Sequence, residues 1–337
     1  MERYQIATKK FLKEFDSCWE ETLTILGNNQ SQLIAGSRLR PQICLWGFLS
    51  MISLDEVDSF DYSHIANVAV SIELIHKASL LIDDWIDGDY ERHGYPAFHA
   101  EYSPEYSVLY ALNMIGLSMS RLGNVFSDSI ILPQYYTLCI NTLINTIYSM
   151  AQGALKELQL RENDFFDNEK IKAIAQLETA DIISNSFLLG YYVSSKGNTN
   201  PGIVHIFKEI GDQCGYLFQT YNDLEAFCNP KTLYEHKGSL NLDFTINRKN
   251  IVISTLFSVA TKKDQKVLKN ANDSTILQMV EKYKIIESLQ IELALVFENI
   301  LSSVSQLSKY DLSIEWQLGL KTFLKYVKSF ATKRLKA

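Results

Sequence analysis

Proline is scarce in this sequence. Six occur in 337 residues (Pro41, Pro96, Pro104, Pro133, Pro201 and Pro230), each between, or at the start of, stretches with helical periodicity. An interior proline removes a backbone hydrogen bond and costs a helix about 3 kcal/mol, so this confinement suits a chain of long helices. The five cysteines (Cys18, Cys44, Cys139, Cys214 and Cys228) are far apart and form no CxxC pair. That excludes a zinc-finger spacing and a disulfide framework, and free thiols in a reducing cytoplasm are expected. Positive charge is not in excess: the net charge is −7, which argues against a nucleic-acid partner. No window approaches about 18 uninterrupted apolar residues, so no integral membrane segment is expected. The N-terminal MERYQIATKKFLKEF lacks the apolar core of a signal peptide, and a soluble, cytoplasmic protein is expected. No NG or DG joins alternating strands, and no Gly/Ser/Pro-rich linker or solenoid repeat divides the chain.

What is present is apolar residue at three- and four-residue spacing. Asp61–Asp87, Leu132–Leu160, Asn168–Val193, Gly202–Asp223, Ser274–Leu307 and Ser313–Leu335 all carry it. With 47% hydrophobic residues, the chain predicts one all-α domain over 1–337, a large bundle of roughly ten helices around a central apolar cavity.

Acid ends one of these apolar runs. In SLLIDDWIDGD (Ser79–Asp89), Asp83 and Asp87 stand at i and i+4 and Asp84 and Asp87 at i and i+3. On a helix the three carboxylates crowd one side over a single turn. Such crowding is either a solvated helix end or a site for a hard cation such as Mg²⁺, which takes carboxylate oxygens and substrate phosphates. A second cluster follows in GDQCGYLFQTYNDLEAF, where Gly211 and Gly215 let two helices approach closely and Asn222 and Asp223 offer oxygen ligands. An Asn-Asp pair at a helix end is also a common turn signal. Cations lie at Arg38 and Arg40, at Arg92 and His93, and at Arg248 and Lys249. A guanidinium fork beside a metal site suits a diphosphate.

The order GSRLRP, H..SLLIDDWID, ERHGYP..H, QG..KEL, ETA, G...GYLFQ..ND and GSLNLD....RK resembles the trans-isoprenyl diphosphate synthase family over about residues 36–250, its catalytic core. The resemblance implies a helical bundle of the isoprenoid synthase type, a homodimer, and Mg²⁺ (three ions with substrate bound). These ions would be held by Asp83, Asp84, Asp87, Asn222 and Asp223, which are the implied catalytic residues. An allylic prenyl diphosphate of C10–C20 would be ionised there. The implied diphosphate-binding residues are Arg40, His76, Arg92, His93, Thr179, Gln219, Arg248 and Lys249. Small Ala78 and Ser79 would border the prenyl pocket and leave room for a long chain.

The sequence also departs from that pattern. Ser37 stands where the family has the lysine of GGKRxRP, His93 where it has the second arginine of RRGxP, and Glu178 where it has the lysine before Thr179. The second DDxxD reads Asn222-Asp223-Leu224-Glu225-Ala226, with Glu225 as the nearest substitute for its last acid. In the family the first two of these cations help hold the diphosphate of isopentenyl diphosphate. At about 1.5–3 kcal/mol per charge-assisted contact, that substrate would bind two to four orders of magnitude more weakly. The leading expectation is therefore a prenyltransferase with an unidentified acceptor other than isopentenyl diphosphate, such as indole or another small nucleophile. The alternatives are a terpene synthase, a true chain-elongating synthase and a non-catalytic subunit. Ala226 and Pro230, where a cyclase motif needs Ser or Thr and Glu, count against the first of these.

Overall fold

The computed structural model describes residues 2–27, 31–34, 36–127, 133–161, 167–228, 250–269, 271–333 and 335. Its helices are α1 (Glu2–Ile25), α2 (Ser31–Ile34), α3 (Leu39–Leu49), α4 (Ser63–Asp87), α5 (Phe98–Glu101), α6 (Pro104–Ser127), α7 (Pro133–Arg161), α8 (Asn168–Ala175), α9 (Asp181–Ser194) and α10 (Pro201–Cys228). There follow α11 (Ile251–Val259), α12 (Lys262–Leu268), α13 (Asp273–Lys282), α14 (Ile285–Gln306) and α15 (Ile314–Lys333). The all-α expectation holds, and the core forms one contiguous apolar cluster.

α1 shows how the pattern works. Tyr4, Ala7, Phe11, Phe15 and Trp19 recur every three or four residues, all are buried, and Phe15 and Trp19 stack with centroids 6.0 Å apart. α4 is the central helix, packed on α1, α3, α6 and α9. By length and composition it is apolar enough to cross a membrane, but 72% of that stretch is buried inside the bundle, as in a core helix. Gly88 (φ 69°) ends it in the left-handed conformation, with Asp89 N–H donating to the Asp84 carbonyl at 2.9 Å.

Gly211 and Gly215 do what their spacing predicts. A Cβ at either would lie 2.3 or 2.2 Å from the Cα of Ser184 or Ala180, so α10 lies directly against α9 and the turn before it. Three expectations on elements need correction. The Ser274–Leu307 run is two helices, broken at Lys284, whose φ of 51° ends continuous helical geometry. The Asn168–Val193 run is interrupted by a π-helical turn at Gln176–Ala180. The loop after the aspartates holds a small antiparallel hairpin, β1 (Glu91–Arg92) and β2 (Tyr95–Pro96), with Arg92 opposite Tyr95. Its turn is His93-Gly94, both at positive φ (54° and 78°), the primed geometry that suits two-residue hairpins.

Candidate active site

The aspartates occupy the last turn of α4, and the fold gives them different surroundings. Asp84 is fully buried, while Asp83 and Asp87 are half-buried. Arg92 Nε donates to Asp84 Oδ1 at 2.7 Å and Oδ2 at 2.9 Å, and its Nη2 also meets Oδ1. Burial alone would lower the pKa of Arg92, but Asp84, together with Asp83 and Asp89, outweighs it and raises it. The β1–β2 hairpin therefore folds back to bring Arg92 onto the acid end of α4.

Two turns earlier on α4 lies a second charged group. Glu73 and Lys77 stand at i and i+4 and are 2% and 4% exposed, far below what unpaired charges tolerate. His76 Nδ1 lies 3.5 Å from Glu73 Oε2. Burial would raise Glu73, but His76, Lys77 and Arg40 hold it down at about 2. Burial and the Arg40 charge push His76 down to about 4, so it is neutral at pH 7. Burial lowers Arg40 to about 10, against the pull of Glu73. The segment before α3 packs on this group. Arg38 lies over the rings of Phe15 (5.3 Å) and Trp19 (5.4 Å), and Gln42 Nε2 donates to the Ser37 and Arg38 carbonyls at 3.1 and 3.3 Å. Ser37 is exposed, as is His93 at the hairpin tip.

Ala78 is fully buried beside α6. Ser118 Oγ donates to the Ser71 carbonyl at 2.7 Å and Ser107 Oγ to the Leu81 carbonyl at 2.9 Å, which sets α6 along that face of α4. Ser79 is half-buried, its Oγ donating to the His76 carbonyl at 2.9 Å. A small apolar crevice lined by Cys214, Leu217, Phe218, Phe297, Ile300, Leu324 and Val327 lies between α10, α14 and α15, away from the aspartates of α4.

The second cluster is knit by hydrogen bonds. Thr179 Oγ1 donates to Gln219 Oε1 (2.9 Å), Gln219 Nε2 to Asp223 Oδ1 (2.9 Å), and Ile251 N–H to Asp223 Oδ2 (2.8 Å). Asp223 is thus buried and accepts from the first turn of α11, while Asn222 is exposed and Glu225 buried. Glu178 is carried on the π-helical turn, where the absent Cβ of Gly153 leaves room for its Cγ (2.4 Å). Arg248 and Lys249 lie outside the described residues. Sequence reasoning missed Glu73, Lys77 and the hairpin; an i, i+4 Glu-Lys pair inside an apolar helix was the available signal.

Among the described residues no three His, Cys, Asp or Glu side chains group closely enough to hold a metal ion alone. Mg²⁺ for its part uses one or two carboxylates and completes its shell with waters and substrate phosphates. Asp83 and Asp87, one turn apart on α4, fit such a pair, and Asp84 is committed to Arg92.

The polyprenyl synthetase model matches residues 24–289, well over half of the chain. The chain belongs to the polyprenyl synthetase family. Members of this family are prenyltransferases, as the sequence motifs anticipated. A geranylfarnesyl diphosphate synthase of Methanosarcina mazei is 25% identical over 57% of this chain; the match spans 58% of that relative's length. A T. brucei farnesyl diphosphate synthase complexed with a bisphosphonate superposes with a TM-score of 0.79 at 16% identity, covering 96% of this chain and 99% of that one. A geranylgeranyl pyrophosphate synthase from Corynebacterium glutamicum, complexed with isoprenyl diphosphate and magnesium, superposes at 0.73 with 16% identity and covers 98% of each chain. At these identities the superpositions speak for the fold of this polyprenyl synthetase family member.

Proposed function

We propose that this polyprenyl synthetase family member is a Mg²⁺-dependent, chain-elongating prenyl diphosphate synthase. It takes an allylic diphosphate as donor and isopentenyl diphosphate as acceptor. The observation that carries the reading is that the last turn of α4 presents Asp83 and Asp87 next to Asp84, which holds Arg92 of the hairpin in place. The names of the curated relatives, isoprenyl diphosphate synthases, support the same choice of acceptor.

In this reading Asp83 and Asp87 hold Mg²⁺, which when bound stabilises the negative charge of the departing diphosphate. Arg92 is oriented by Asp84, so its guanidinium is fixed before substrate arrives, which removes part of the reorganisation cost. The C–O bond of the donor breaks with its electron pair on diphosphate, and the acceptor double bond forms the new C–C bond. A proton then passes from the acceptor to the released diphosphate. The buried apolar surround of α4 keeps water from the allylic cation.

An acceptor other than isopentenyl diphosphate was the expectation from Ser37 and His93, and the curated relatives, named isoprenyl diphosphate synthases, favour isopentenyl diphosphate instead. Thr179, Gln219, Asn222 and Asp223 form the second part of the site in this proposal, with Asp223 placed by Gln219 and α11. A homodimer would form through α6 and α7, where Leu109, Leu112, Ile144, Tyr148 and Leu155 stay exposed.

The test is incubation with Mg²⁺ and C10, C15 or C20 allylic diphosphates, with isopentenyl diphosphate or with indole. Elongated diphosphates are expected, and Asp83→Ala should abolish diphosphate release. Prenylated indole with no elongation would overturn the acceptor, and turnover by Asp83→Ala would overturn the metal site.

A further inference from the structure

The lysine missing at position 37 has a structural counterpart on another element. Lys77 is 4% exposed, and its Nζ lies 3.3 Å from where a Cβ on Gly36 would stand. Gly36 has φ 133°, a conformation side-chain-bearing residues rarely adopt, so the glycine both bends the chain and leaves room for the ammonium. The ammonium thus comes from α4 to the segment in which Ser37 is the next residue.

The charges acting most strongly on Lys77 are Glu73, which favours its protonation, and Arg38, Arg92 and Arg40, which oppose it. Arg92 is neutralised by Asp84 and Arg38 Nε lies 3.6 Å from Asp16 on α1, while Arg40 and Lys77 both face Glu73, so a multiply charged anion would add to the counter-charge here. Two of the arginines keep buried donors without hydrogen-bond partners, Arg38 Nη1 and Arg40 Nε. Buried N–H groups of this kind are normally satisfied, so two in one cluster point to a ligand. The N-terminus of α3 adds to the same field: its first residue is preceded by Arg38, at φ 52°, with no side-chain cap on the helix.

We propose that Lys77 is a diphosphate-binding residue of the isopentenyl diphosphate site, supplying from α4 the charge that position 37 lacks. The proposal rests on the chain-elongating reading above for the identity of the acceptor. The anion site itself is tested without turnover. Lys77 acts as one of several donors, alongside Arg40 and Arg38, and its buried stem fixes the ammonium in place before the ligand arrives.

The experiment is calorimetric binding of inorganic diphosphate and of isopentenyl diphosphate to the full chain, with no allylic substrate. Lys77→Met should weaken both by about ten- to a hundredfold, the scale of one charge-assisted contact. Ser37→Lys added to Lys77→Met should recover most of the loss, because it returns a cation to the same segment. Equal affinity in wild type and Lys77→Met, or a loss that Ser37→Lys leaves unchanged, would overturn the assignment.

Lys77→Arg guards against a variant that merely fails to fold. Burial, with Glu73 opposing it and the three arginines adding to it, lowers Lys77 to about 8. Diphosphate binding by wild-type protein at pH 9 should therefore take up a proton, read from binding heats in buffers of different ionisation enthalpy. Lys77→Arg should bind without that uptake, and equal uptake in both would count against Lys77. The two readings fail separately. No elongated product from wild type refutes the activity, whereas Lys77-independent binding of inorganic diphosphate refutes the site whatever the activity.

Discussion

Asp84 and Arg92 show what a single residue can decide. Asp84 is fully buried and both its oxygens take donors from Arg92, whose side chain is 24% exposed. Removing one partner of a buried pair leaves an uncompensated charge. Arg92→Met should therefore lower unfolding free energy by on the order of 3 kcal/mol in urea titration. A loss near zero would mean that the hairpin does not hold this pair in solution. His76 makes a pH prediction. Burial and Arg40 lower it to about 4 from an ordinary value of 6.5. Between those values the unfolded chain binds a proton that the folded chain refuses, so stability falls as pH drops from about 6.5 to 4. The scale is on the order of 3 kcal/mol. Melting temperature against pH should show this slope, and His76→Gln should flatten it; a slope unchanged by the substitution would assign it to other groups.

At the scale of elements, the contact between α9 and α10 depends on glycine. A Cβ at Gly215 would sit 2.2 Å from Ala180 Cα, a backbone atom that cannot swing away. Gly215→Ala should force the helices apart and cost about 1–3 kcal/mol, read as a lower midpoint in denaturant. The same change at exposed Gly94, where no neighbour lies within 4 Å, would act only through its positive φ. The Gly211/Gly215 spacing was readable because it is local. The break at Lys284 and the π-helical turn at Gln176–Ala180 were not, since hydrophobic periodicity continues through both. The β1–β2 hairpin was missed because its turn is His93-Gly94 rather than Asn-Gly, with only two residues per strand.

For the whole molecule, the exposed apolar face of α6 and α7 carries the quaternary prediction. Ile144, Tyr148 and Leu155 recur at i, i+4 and i+11 and remain 49%, 65% and 53% exposed, beside Leu109 and Leu112 on α6. Burying a face like this usually stabilises an oligomer. Tyr148→Lys with Leu112→Asp should shift the protein from dimer to monomer in light scattering, and an unchanged mass would place the interface elsewhere.

The sequence by itself determined the helical class, the close approach at Gly211 and Gly215, and the acidic end of α4. All of these follow from spacings of three or four residues and from a glycine cap, which act within a turn or two of helix. Tertiary structure alone decided which aspartate faces Arg92, that Asp223 accepts from the first turn of α11, and that Lys77 reaches Gly36. Those partners meet only when α3, the hairpin and α11 pack against helices distant in the chain. Charge in the sequence shows how many cations exist; burial and packing choose which of them surround one anion site.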